Sequence, residues 1–190
     1  MSVQSFSLLF AFLCLVCWVG VVAVVVLALA TRSGGGGTVA QLRSDLGRFA
    51  LPLAWIVALV TTAGSLYYSK VQGYIPCELC WYQRIVLYPW SVILGIAAWR
   101  RDSSIRVYAV PVLCIGLVIS AYHSFIQWWP PSNGTSFCSA SAPCTLKYVD
   151  EFGFVTLPFM ALSAAALMIA LLSISRYDDD DVVEEVEVVR

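Results

Sequence analysis

Four cysteines fall into two close pairs, Cys77-Glu-Leu-Cys80 and Cys138 with Cys144, and both spacings suit disulfide chemistry. Pro76 immediately precedes the first pair, a first-turn signal that places both sulfurs at the start of a helix. A helix N-terminus carries partial positive charge, so it stabilises a thiolate and makes that sulfur a better leaving group. The three-residue step sets Cys77 and Cys80 on one helix face, close enough to bridge. Arg84 follows Cys80 by four residues, one turn deeper on that face. In the second pair, Ser-Ala-Ser-Ala-Pro separates Cys138 from Cys144. So short a loop of small residues folds back readily to the roughly 4.4–6.8 Å that bridged α-carbons need. Two such pairs within reach of each other form a relay for thiol–disulfide exchange.

The elements that position these residues are membrane spans. Of 190 residues 60% are hydrophobic and 12% charged, with a mean hydropathy of +0.82. A soluble domain carries roughly 25% charge, and a nucleic-acid binder needs a basic patch. These numbers exclude both, together with a disordered chain, and leave an all-α integral membrane protein. Residues 6–30 hold no charge and are long enough to cross the hydrocarbon. A signal peptide is the competing reading of that run; its length and the lack of a preceding Lys or Arg favour a retained span. Four glycines then mark a flexible joint before a short polar stretch. Further spans are expected over residues 49–68, 77–99, 107–127 and 154–175.

Short-loop arginines orient these five spans. Arg32, Arg43 and Arg48 lie in one loop and Arg100, Arg101 and Arg106 in another, whereas residues 69–76 and 128–153 carry one lysine each. The arginine-rich loops are therefore expected in the cytosol, with both cysteine pairs outside in an oxidising compartment. Tyr67, Tyr68, Tyr74, Trp81, Tyr82, Trp128 and Trp129 cluster toward the same outer interface. The net charge of −1 conceals a tail. Residues 177–190 hold seven of the twelve acids against Arg190 alone, leaving that segment at −6 and residues 1–176 at +5. Such a run reads as a solvated cytoplasmic tail. The division expected is an N-terminal span with its linker over 1–48, a bundle over 49–175 and the tail over 176–190.

Each functional reading has a plainer competitor. A CxxC can be half of a zinc site, but zinc wants four ligands, and one CxxC with a distant outward pair supplies them poorly. Metal ligation is not expected. Two purely structural disulfides are a second option, giving a membrane scaffold with braced loops. Arg84 is either functional or an arginine reaching back to the headgroups. His123, the one histidine, is either an interior residue or a functional ionisable group at the depth of Cys80 and Arg84. Seven cysteines cannot all pair internally. Cys14, Cys17 and Cys114 lie within apolar spans and read as packing residues.

The run Pro76-Cys77-Glu78-Leu79-Cys80-Trp81-Tyr82-Gln83-Arg84 resembles the DsbB family of quinone-coupled, disulfide-generating membrane proteins, closest to its short-loop BdbC-like branch. The likeness continues through Ile85 to Pro89, His123, Cys138 with Ala142-Pro143-Cys144, Phe152-Gly153-Phe154 and Pro158-Phe159. It implies a four-helix transmembrane bundle over residues 49–175, to which the N-terminal span is an addition. It also implies a membrane oxidoreductase that reoxidises a DsbA-like thioredoxin-fold partner and passes electrons to a quinone, ubiquinone or menaquinone, for disulfide formation in exported proteins. By position, Cys138 would be attacked by the partner, Cys144 would engage Cys77, and Cys80 would face the quinone. Arg84 would support the quinone and the Cys80 thiolate, and His123 would border the quinone pocket. A vitamin K epoxide reductase-like enzyme shares this logic, but its CxxC follows the loop pair in the chain, whereas here it precedes it.

Overall fold

Within hydrocarbon the backbone must satisfy its own hydrogen bonds, and this chain does so with helices. The computed structural model describes residues 3–33, 36–131, 138 and 142–175. Among these described residues six α-helices follow one another: α1 (Val3–Arg32), α2 (Gly37–Leu66), α3 (Glu78–Leu87), α4 (Trp90–Trp99), α5 (Arg106–Trp128) and α6 (Leu157–Ile174). A π-helical turn, Tyr67–Val71, extends α2, and a 3-10 turn, Ser103–Ile105, leads into α5. Among the described residues there is no strand, only an isolated bridge between Glu151 and Val155. Phe152 and Gly153, both at positive φ (55° and 76°), lie in the three-residue loop that closes it.

Four stretches are each long and apolar enough to cross a membrane: Val3–Arg32, Gly37–Val71, Ser103–Trp128 and Leu157–Ile174. The remaining crossing, expected as one helix over 77–99, is two. Pro89 lacks an N–H, so the hydrogen-bond ladder breaks between α3 and α4. The dihedrals nevertheless stay helical at Tyr88 (−63°, −40°) and Pro89 (−56°, −28°), and the chain continues onward. At 1.5 Å per residue the pair reaches about 33 Å, enough for the hydrocarbon. The result is an all-α, multi-pass membrane protein.

Two other expectations change. The polar stretch after the glycines is helical, because α2 starts at Gly37 and runs unbroken past residue 48. Good helix formers such as Ala40, Gln41, Leu42 and Arg43 propagate it, and Leu46 packs on the core. The expected division at 48/49 therefore falls inside a helix. Cys114 is exposed on the outer side of α5 rather than packed inside. The expected tail, residues 176–190, lies outside the described residues.

The helices bury small residues and turn large ones outward. Ala50, Ala54 and Ala58 line one face of α2, and Ala164, Ala165, Met168 and Leu172 occupy α6, which packs against α1, α2 and α5. Trp99 (91% exposed), Val19 (70%) and Val118 (67%) point away from the bundle. Such exposure would be a liability in water and is normal against lipid, where small residues let helices approach closely. At Gly95 on α4 an added Cβ would sit 2.7 Å from the indole nitrogen of Trp55. That nitrogen donates to the Ser91 carbonyl at 2.9 Å, so the ring cannot yield without losing the bond. Gly95→Ala should cost about 1–3 kcal/mol, read as a lower thermal midpoint of the detergent-solubilised protein. An unchanged midpoint would show that α2 and α4 can part there at no cost.

The bundle has two unlike ends. At one, Arg43 on α2 donates to Thr31 Oγ1 on α1 (3.1 Å), and Arg106 at the start of α5 donates to the Ser175 carbonyl after α6 (3.0 Å). The opposite end carries Cys77, Cys80, His123 and Cys144, beside stacked Tyr68, Tyr74 and Tyr148.

Candidate redox site

The site forms where three chain segments meet at the cysteine-bearing end. Gly73, at φ +70°, ends the π turn in a conformation that favours glycine, and the chain then runs extended through Pro76 into α3. Cys77 is the N-cap of α3, its sulfur accepting from the Cys80 N–H at 3.4 Å. The Cys77 and Cys80 sulfurs lie 2.8 Å apart, unbonded. The expected placement at the start of the helix, on one face, is what the structure has.

Cys138 and Cys144 form a disulfide, with α-carbons 5.8 Å apart. Three hydrogen bonds pin the segment that follows onto the rest of the site. His123 Nε2 donates to the Cys144 carbonyl at 3.2 Å, Gln127 Nε2 to the Leu146 carbonyl at 3.0 Å, and Tyr148 Oη to the Ile75 carbonyl at 3.2 Å. Cys77, Leu79, Ile126, Ala142 and Cys144 are consequently buried in one small apolar cluster, with Cys80 and Cys138 packed on it. The Cys77 sulfur, the Cys144 sulfur and a His123 ring nitrogen all lie within 4.8 Å of one another. This trio has the donor types of a metal site, but the Cys144 sulfur is committed to its disulfide.

His123 on α5 sits between the two couples. Its Nε2 lies 3.6 Å from the Cys77 sulfur, and because a carbonyl only accepts, the bond to Cys144 places the ring hydrogen on Nε2. Nδ1 is buried with no hydrogen-bond partner among the described residues. An unpaired buried acceptor is costly. His123 does not line the cavity beside Cys80, the setting the resemblance implied for it.

Cys80 and Arg84 border that cavity, which has a volume of about 280 Å³. The Arg84 guanidinium lies 5.5 Å from the ring centre of Trp81 and 5.9 Å from that of Tyr88, with one nitrogen 3.5 Å from the Ser65 carbonyl. Tyr88 Oη donates to Ser65 Oγ at 2.8 Å. Among the described residues Arg84 has no carboxylate partner. Gln83, buried beside it, donates to Ser120 Oγ at 3.0 Å and also lines the cavity. Sequence reasoning missed Ser65 and Tyr88. Both are half-buried polar residues inside an apolar span, a weak signal, and only packing brings them to Arg84.

Reading also missed the part played by α1. Phe10, Leu13, Cys14, Val16 and Cys17 line the same cavity as Cys80 and Arg84. Cys14 is buried, its sulfur 3.0 Å from Ser163 Oγ on α6.

Comparison with known proteins shows the family. A family model described as disulfide bond formation protein DsbB matches residues 47–174. Disulfide bond formation protein C of Bacillus subtilis (strain 168) is 44% identical over 119 residues, covering 63% of this chain and 86% of that protein. A probable disulfide formation protein of Oceanobacillus iheyensis is 45% identical over 125 residues, covering 64% of this chain and 84% of that protein. One from Coxiella burnetii (strain Dugway 5J108-111) is 38% identical over 136 residues, covering 71% and 92%. No solved structure matches the chain. With the matched segment holding both cysteine pairs, Arg84 and His123, the chain belongs to the DsbB family and is a disulfide-forming thiol oxidoreductase of the membrane.

Proposed function

We propose that this protein reoxidises a DsbA-like thioredoxin-fold partner at the outer face of the plasma membrane and delivers the electrons to a membrane quinone. The observation that carries the reading is the position of Cys77, whose sulfur is 2.8 Å from that of Cys80 and within 4.8 Å of that of Cys144. Sulfur chemistry then has a continuous path from the loop disulfide to the cavity.

The working cycle starts with both couples oxidised. A partner thiolate attacks Cys138, and the Cys138–Cys144 bond breaks with Cys144 leaving as a thiolate. The partner's second thiol resolves the mixed disulfide, so the partner leaves oxidised and Cys138 is a thiol. Cys144 next attacks Cys77 of the Cys77–Cys80 disulfide and releases Cys80 as a thiolate. Cys138 then attacks Cys144, which restores the loop disulfide and leaves Cys77 and Cys80 reduced. The two electrons and two protons of one partner dithiol now reside on Cys77 and Cys80.

His123 serves the exchange steps, its Nε2–H steadying negative charge on Cys77 while bare Nδ1 can take up a proton. Arg84 stabilises the Cys80 thiolate through charge, a preorganised electrostatic effect. The cavity's donor set fits a quinone. Arg84, without a carboxylate partner among the described residues, and Gln83 stand beside Cys80, and the wall includes an apolar stretch with Leu13, Val16, Val57, Val60 and Leu167. When bound there, a quinone would supply the acceptor for the two electrons and two protons that Cys77 and Cys80 release as they return to a disulfide.

Orientation rests on the arginine-bearing end of the bundle, which the positive-inside rule assigns to the cytosol. The test combines activity with topology. Purified protein with quinone should oxidise a reduced thioredoxin-fold dithiol catalytically, and after reduction a membrane-impermeant thiol reagent should label Cys138 in intact cells. Oxidation that proceeds unchanged without quinone would refute the acceptor, and labelling only after the cytosol is opened would refute the orientation.

A further inference from the structure

Helix α1 lies outside the family match, yet it is docked on the bundle rather than merely tethered to it. Cys14 reaches Ser163 on α6 at 3.0 Å, and Tyr68 Oη donates to Ser7 Oγ at 3.2 Å. Trp18 stacks on Phe159 at 6.3 Å. At Gly64 on α2 the Phe10 ring of α1 occupies the space a Cβ would need, so a side chain there would have to displace the ring. Packed against both α2 and α6, α1 covers the seam between them.

That seam is where the cavity runs. Its polar end holds Cys80, Gln83 and Arg84, and its apolar length is walled by Val57 and Val60 of α2, Leu167 of α6, and Leu13 and Val16 of α1. We propose that α1 completes a subsite for the isoprenoid tail of the quinone, making this helix a determinant of tail-dependent affinity. The inference rests on the quinone reading above and adds the chain's own N-terminal helix to it. Open to lipid, a tail lying along α2 and α6 would gain little, since acyl chains are as apolar as the protein surface. Walled by α1, it exchanges fluid acyl contacts for fixed ones with side chains already in place, and each well-placed atom pair adds a small dispersion gain.

The test uses the full chain in lipid nanodiscs and measures quinone binding directly, by calorimetry and by the ligand-induced thermal shift. The probes are 2-methyl-1,4-naphthoquinone without a tail and the same ring bearing a four-isoprene tail, with the matching dimethoxybenzoquinone pair alongside. Leu13→Trp with Val16→Trp fills the proposed subsite from α1, and Leu13→Ala with Val16→Ala strips its wall. Both positions are already partly exposed, so neither change cuts into the core. Val19→Trp, on the exposed side of α1 away from the cavity, is the control. Affinity for the tailed quinones should fall about tenfold with the Trp pair and about threefold with the Ala pair. Tail-less quinones should change less than about twofold in either, and the control should match the unaltered protein. Equal affinities in all variants, or equal losses for tailed and tail-less quinones, would overturn the assignment. Failure of the unaltered protein to bind any of the four would instead sink the quinone reading, and this inference with it.

Discussion

Cys138→Ser should arrest the protein as a Cys77–Cys144 disulfide with Cys80 left as a free thiol. In this variant Cys144 is a free thiol from the outset, within 4.8 Å of Cys77, and its attack there frees Cys80; without the Cys138 sulfur only back-attack by Cys80 can undo the new bond, which reverses the step and yields no turnover. Removing one member of a covalent relay abolishes the chemistry rather than slowing it, so turnover should drop by at least about a thousandfold. Digestion without reductant, followed by mass mapping, reads the bond directly. The specific choice of Cys77 is the test, because it is Cys77 that contacts His123 and faces the loop, whereas Cys80 faces the cavity. A Cys80–Cys144 bond would reverse the order of the relay. Substantial turnover in the variant would make the loop pair a structural brace.

Arg84→His should mainly raise the quinone KM, by about ten- to a hundredfold. The arginine is half-buried with no carboxylate partner among the described residues, held by two aromatic rings and one long contact to the Ser65 carbonyl. An unpaired charge at that depth is expensive to keep, and its donors stand at the polar end of the cavity. A shorter imidazole cannot reach the same place with a fixed charge. The loop disulfide lies outside that cavity, so exchange with the partner in a single turnover without quinone should keep its rate. Titrating quinone against steady-state oxidation separates the two effects, and an unchanged KM would assign Arg84 to anchoring in the headgroups.

Much of this protein was legible along the chain because a membrane imposes simple rules. Length and apolarity located α1, α2, α5 and α6, since a chain in hydrocarbon has few options besides the helix. The spacing of Cys77, Cys80 and Arg84 transferred directly to one helix face, because local helical geometry is regular. Errors arose where the one-dimensional rule met competing local chemistry. The stretch after the glycines read as linker, yet its helix formers let α2 run through it from Gly37. Pro89 interrupted hydrogen bonding in a run whose hydropathy is continuous.

Contacts between distant segments were not legible at all. His123 was read as an ionisable residue near the outer end of its span, but whether it faced the cavity or the sulfurs depended on the rotation of α5 against α3 and on the path of the loop behind Cys144. The Cys14 and Cys17 repeat of the CxxC spacing carried no hint that it borders the same cavity as Cys80. By itself the sequence determined the membrane class, the redox-capable pairs and the basic residue beside one of them, because each follows from composition or from neighbours within a turn. Only tertiary structure decided which sulfur meets which, where His123 points and what α1 covers, because those depend on helix packing angles and close approaches at single residues such as Gly64, which no local pattern encodes.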